Sequence, residues 1–252
     1  MNLLSVKQLT KLYNGQEVVT NLSFDLQKGE CLGLVGESGC GKSTLARCLL
    51  RLENIDSGSI FFKDEAIENL RHRQLIPFRK DMQIVFQNPT AALNPKLKIK
   101  DSLLDPYIQY RSDLALRHFS FTSKEQFVLQ LLDAVGLPAS LAGRYPHELS
   151  GGQRQRVTIA RSISIEPELI ILDEPTASLD VISQAEVLTL LTELRQNLKL
   201  SYLFISHDLA AVKQLSQRIM VMKKGIIVDQ FPCAELFDDQ RHNYTKELIS
   251  IF

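Results

Sequence analysis

The chain has no excess of either charge: across 252 residues, 29 Lys and Arg face 29 Asp and Glu, for a formal net charge of zero. Without a global basic field, nucleic acid is disfavoured as a partner. Long apolar runs are missing too. Stretches such as 169–172 fall far short of the roughly 20 residues that cross a bilayer, and the N-terminus lacks a signal-peptide pattern, so any membrane role is expected to come through a partner. The four cysteines, Cys31, Cys40, Cys48 and Cys233, show neither C-x-x-C spacing nor a nearby histidine pairing. That argues against a zinc site or a disulfide framework and fits a reducing cytoplasm. No internal repeat, low-complexity tract or flexible linker interrupts the chain. With 44% hydrophobic residues it holds enough apolar material for one substantial core, or one core plus a small subdomain.

What is present is a change of pattern along the chain. Near alternation of apolar and polar residues over 4–9 and 18–26, with turns at Asn14-Gly15 and Lys28-Gly29, predicts an antiparallel opening sheet. Residues 57–62 and 82–86 predict further strands, followed by a Pro-rich stretch over 88–95. From 101 to about 165 the pattern turns helical, with Phe127, Leu131, Leu132 and Val135 at helical spacing. From 168 onward, strands over 169–172, 202–205 and 219–222 alternate with helices over 184–195 and 209–215. Such alternation implies βα units and a parallel sheet. The expected fold is therefore α/β, with 1–87 and 166–252 forming a core and 88–165 an inserted helical subdomain.

Gly36-Glu37-Ser38-Gly39-Cys40-Gly41-Lys42-Ser43 fits G-x-x-x-x-G-K-[ST] and lies between the apolar run 31–35 and a predicted helix starting near Thr44. Strand, loop and helix in that order are what a P-loop requires. Its glycines let successive backbone N–H groups curl inward into an anion-binding nest at the positive end of a helix. Lys42 is expected to reach the β- and γ-phosphates and the Ser43 hydroxyl to ligate Mg²⁺. Cys40, beside Lys42 and a helix N-terminus, is either a reactive thiol of lowered pKa or a small residue tolerated in the loop. Further on, Leu169-Ile170-Ile171-Leu172-Asp173-Glu174 reads as a buried strand ending in two carboxylates. Asp173 is expected in the metal's coordination sphere, and Glu174 is placed to accept a proton from the attacking water.

With these motifs the chain resembles the ATP-binding cassette ATPases, nearly end to end. The resemblance implies a RecA-like P-loop NTPase core with an N-terminal antiparallel β subdomain and an inserted helical subdomain, binding ATP and Mg²⁺. It implies that Tyr13 stacks on adenine and that residues 36–44 hold the phosphates. Gln87 would touch Mg²⁺ and the attacking water. Leu149-Ser150-Gly151-Gly152-Gln153 matches the family's signature motif, in which Ser150 and the glycine amides offer donors to the γ-phosphate held by an opposite subunit. Asp180, in Ser178-Leu179-Asp180, matches a loop that crosses the dimer interface, and His207 matches the switch histidine. The implied catalytic set is Glu174, His207, Gln87 and Lys42, working in a head-to-tail dimer that ATP closes and hydrolysis releases.

Residues 36–43, 85–95 and 241–248 further resemble the ATPases of bacterial oligopeptide, dipeptide and nickel importers, in which the stretch after the glutamine faces a permease. Asn243 stands where that group usually has proline. No cysteine-bearing extension follows the tail, so no iron–sulfur cluster is expected. The segment 106–123 is longer than the pattern and carries no assigned role. The subfamily implies two different ATPase chains, with a homodimer second, under two permease chains fed by an extracytoplasmic binding protein. The ATPase would then sit peripherally at the cytoplasmic face of the plasma or inner membrane, powering uptake of peptides, nickel or metal chelates. The alternative is a soluble, non-transport cassette ATPase serving a phosphonate-degradation or iron–sulfur assembly complex.

Overall fold

A computed structural model describes residues 2–250. In chain order the elements are β1 (Asn2–Tyr13), β2 (Gln16–Gln27), β3 (Cys31–Val35), α1 (Lys42–Leu49), β4 (Ser57–Phe62), β5 (Glu65–Ala66), α2 (Ile76–Asp81), β6 (Met82–Val85), α3 (Pro89–Ala92) and α4 (Ile99–Tyr110). There follow α5 (Lys124–Ala134), α6 (Gly151–Ile163), β7 (Leu169–Asp173), α7 (Val181–Leu198), β8 (Ser201–Ser206), α8 (Leu209–Leu215), β9 (Arg218–Lys223), β10 (Ile226–Pro232) and α9 (Asn243–Ser250). They fall into two compact units, one made of residues up to Met82 together with those from Ser201 onward, the other of Gln83–Leu200.

The first unit opens as the alternation predicts. β1 pairs antiparallel with both β2 and β4, in the order β2-β1-β4-β5. Leu4, Val6 and Leu9 turn one face of β1 inward, where they are essentially inaccessible to water. In the second sheet β3 runs parallel to both β8 and β9. All five residues of β3 and all six of β8 are buried, so their Leu, Ile and Phe side chains read as continuous runs rather than alternating ones. Removing one such side chain to alanine costs about 2–5 kcal/mol. β10, which the sequence pattern does not predict, adds antiparallel to β9. α9 is likewise unpredicted.

In the second unit β7 is wholly buried. The strand expected over 82–86 ends at Val85, leaving Phe86 about two-fifths exposed. The Pro-rich stretch holds one short turn of helix, α3, whose N–H groups at Thr90 and Ala91 are capped by the Asn88 side chain. Phe127, Leu131 and Leu132 face inward from α5, as their spacing requires. Segment 106–123 is tied down at two points. The Glu166 carboxylate accepts hydrogen bonds from three successive backbone amides, Arg117 (2.7 Å), His118 (2.8 Å) and Phe119 (2.8 Å). Phe121 stacks on Tyr107 with ring centroids 4.2 Å apart.

Candidate active site

The phosphate-loop motif follows a strand that cannot slide, because β3 is buried from end to end. Two of its glycines are dictated by space. A Cβ on Gly36 would lie 2.2 Å from the Met222 carbonyl oxygen, and one on Gly41 would lie 2.5 Å from that of Val18. Gly41 also has φ 109°, a left-handed conformation that side chains resist. The loop is pinned from outside: the Gly225 N–H donates to the Cys40 carbonyl (3.0 Å), and the Thr20 N–H donates to that of Gly225 (2.9 Å). α1 therefore starts on a left-handed glycine, with no side chain capping its first amides. Lys42 is buried, and its Nζ donates to the carbonyls of Gly36 (2.7 Å) and Glu37 (2.9 Å).

Cys40 separates its two readings. Burial pushes its thiol pKa up, and the pull of Lys42, 3.9 Å from Sγ, does not overcome that penalty. A raised thiol pKa favours the small-residue reading of this position over the reactive one.

Tyr13 and His207 also belong to the first unit. Tyr13 is two-fifths exposed, its hydroxyl donates to the Glu53 carboxylate, and the Lys11 ammonium lies 5.3 Å from its ring centroid. His207 is exposed on the short link after β8, next to Asp208, whose carboxylate caps α8.

In the second unit, Asp173 closes β7 with 8% of its surface exposed. Glu174 follows with φ 48°, an uncommon backbone state for a residue with a side chain. The Gln87 amide donates to its carboxylate at 3.0 Å. Two residues far apart in sequence but both assigned to the chemistry thus meet directly.

The signature motif begins α6. Ser150 is its N-cap, accepting from the Gln153 N–H (3.2 Å), while the Gln153 side-chain oxygen accepts from the Ser150 N–H (3.0 Å). This is a reciprocal capping box. Asp180 caps α7 in a related way: it accepts from the Ser183 N–H (2.9 Å) and hydroxyl (2.8 Å), and these bonds, the N–H first, hold its carboxyl below the usual range. A Cβ on Gly151 would lie 3.7 Å from Leu179, and one on Gly152 would lie 3.3 Å from the Ser183 hydroxyl, so the signature glycines line the Asp180 loop. Just beyond it Val181 and Ile182 are 84% and 74% exposed, an apolar pair in water that the periodicity of α7 did not announce.

Residues 19–177 match the family model described as ABC transporter. The chain belongs to the ABC transporter family. It is 46% identical over 237 residues to the oligopeptide transport ATP-binding protein OppF of Bacillus subtilis, covering 93% of this chain and 75% of that protein. It is 45% identical over 243 residues to the uncharacterized ABC transporter ATP-binding protein YejF of Escherichia coli; the match takes in 96% of this chain but 45% of YejF's length. Among solved structures, the dimeric post-hydrolysis state of the ATP-binding cassette MJ0796 bound to ADP and Pi superposes with a TM-score of 0.81 at 26% identity, covering 91% of this chain and 98% of that one. The chain is thus an ABC ATPase with a P-loop NTPase fold, and it uses ATP with Mg²⁺.

Among the described residues, no cluster of three or more His, Cys, Asp or Glu is built to hold a metal by itself. ATP-borne Mg²⁺ needs none, because phosphates and waters fill most of its octahedron and one or two protein oxygens suffice.

Proposed function

We propose that this cassette powers uptake of short peptides, or of nickel or a metal chelate, through a membrane permease. The similarity to an oligopeptide transport ATP-binding protein, OppF, favours peptides. Lys42 and the loop amides from Gly36 to Thr44 take the phosphates, and Tyr13 takes the adenine. Mg²⁺, when bound, supplies charge neutralisation on the phosphates, with Ser43, Gln87 and Asp173 as its protein oxygens. Glu174 accepts the proton of the attacking water, Gln87 orients that water, and His207 contacts the γ-phosphate and aligns Glu174. Ser150, Gly151, Gly152 and Gln153 of one subunit, with Asp180 beside them, complete the site of the other in a head-to-tail dimer. Closure then follows because ATP binds the closed dimer better than the open one.

The observation that carries this reading is the Gln87–Glu174 hydrogen bond. It ties the proposed proton acceptor to the start of the helical subdomain, residues 88–165, so that a movement there is felt at the chemistry. The residue before Gln87, Phe86, borders a surface groove of about 190 Å³ that also involves Ala92, Asp105, Tyr110 and Arg161. Such a groove supports docking of a permease segment. No helix among the described residues is long and apolar enough to cross a membrane; in the proposed importer the ATPase is held peripherally at the cytoplasmic face by two permease chains. A second, different cassette chain and an extracytoplasmic binding protein complete the proposed importer.

Glu174→Gln tests both levels. Turnover is expected to fall ~100-fold or more with ATP binding retained, the range a lost general base produces; near-normal turnover would overturn the role of Glu174. The same variant, captured with Mg-ATP from gently solubilised native cells, should bring down two polytopic membrane proteins and a second cassette. A soluble enzyme assembly in their place would leave the ATPase standing and sink the import function.

A further inference from the structure

The C-terminal helix is fastened to the phosphate loop, a connection that no motif of the sequence announces. Asp229 of β10 gathers the start of α9: its carboxylate accepts from the His242 N–H (2.8 Å) and the Thr245 hydroxyl (2.8 Å) and lies 3.6 Å from the Arg241 guanidinium. Arg241 in turn covers the Phe231 ring at 4.4 Å. So anchored, α9 places Tyr244 with 2% of its surface exposed, under the Lys223 ammonium, which stands 4.0 Å from the ring centroid. The Tyr244 hydroxyl accepts a hydrogen bond from the Glu37 N–H at 3.3 Å. The carbonyl of the same Glu37 accepts from Lys42 Nζ at 2.9 Å.

Glu37 is therefore a joint. Its N–H is held by the tail, and its carbonyl holds the loop lysine. A loop amide with no ladder partner needs an acceptor from elsewhere, and a buried aromatic ring is a rigid way to present one. Burial pushes the Tyr244 hydroxyl's pKa up, with the Glu37 N–H pulling the other way, so the acceptor is a neutral phenol oxygen.

We propose that Tyr244 is a positioning residue for ATP binding: through the Glu37 backbone it fixes the loop's first peptide units and, with them, the resting place of Lys42. The proposal rests on the phosphate-binding role assigned to Lys42. Tyr244→Phe removes the acceptor oxygen and keeps the buried ring. The expected result is a Kd for Mg-ATP raised about fivefold, or ~1 kcal/mol at 1.4 kcal/mol per tenfold, in line with one lost neutral hydrogen bond. The KM for ATP should rise with it while kcat holds, and the Glu37 amide should exchange faster with solvent although the melting temperature without nucleotide is unchanged. A purely structural role would lower the melting temperature and leave the Kd of the folded fraction alone. Wild-type Kd and wild-type Glu37 exchange in folded Tyr244→Phe would overturn the proposal. Should that variant fail to fold, Asp229→Asn loosens the same anchor from its far side; a raised Kd there supports the proposal and an unchanged one defeats it. Lys42→Ala is the control: if it binds Mg-ATP as the wild type does, the phosphate-loop reading itself fails, whatever Tyr244 does.

Discussion

Two helices of this chain begin on glycine-rich motifs, and they use their glycines for opposite reasons. At the start of α1, Gly36 and Gly41 have no room for a Cβ, each blocked by a backbone carbonyl, and Gly41 is in a left-handed state. At the start of α6, Gly151 has ordinary van der Waals room for one, and the helix is already capped by Ser150 and Gln153. Folding explains the first pair. It does not explain Gly151, where a methyl group would fit within the chain; on the proposed reading that space faces a nucleotide and the surface of an opposite subunit.

The contrast can be broken experimentally. Gly41→Ala should destabilise the chain by about 3 kcal/mol or more, from strain at positive φ plus a backbone clash, and lower the melting temperature by about 6–12 °C. A stable Gly41→Ala protein would erase the distinction. The helix behind Gly41 gives a second, smaller effect. Burial pushes the Cys48 thiol up to about 11 from its ordinary 9.0. The unfolded chain then loses that proton first, so the stabilising difference is complete below pH 9 and declines as pH rises toward 11. Cys48→Ala should flatten this alkaline limb by an amount on the order of 2 kcal/mol, read from thermal melts as a function of pH; an identical limb would refute the burial effect. Gly151→Ala is the sharpest test. Alanine is the better helix former, so its melting temperature should hold or rise slightly, while ATPase activity should fall about tenfold or more through loss of close approach to the phosphate. Full activity in that variant would remove the signature motif from the proposed site.

The parts of the site legible in the sequence are those whose chemistry is local. The phosphate loop sits between β3 and α1, and the paired carboxylates end β7, because a buried strand must be apolar and the turn after it must supply the polar groups. What escaped depends on distance or burial. Cys40 sits beside a lysine in sequence, but its thiol responds most to the desolvation around it, and only the structure shows which of its two readings that favours. β10 is exposed or half-buried at six of its seven residues and lacks the continuous apolar run that marks β3 or β8. Glu166 gives no local hint that it collects three amides almost fifty residues upstream. Tyr244 lies 207 residues from the amide it serves.

That last separation has a consequence in time. A ribosome adds about 5–20 residues each second, so the phosphate loop emerges about 10–40 s before its tyrosine exists. During that interval the loop has its glycines and its lysine, but the acceptor for the Glu37 amide is still unmade. A nascent chain of this cassette therefore lacks that acceptor until residue 244 has been added, long after Lys42 has been made.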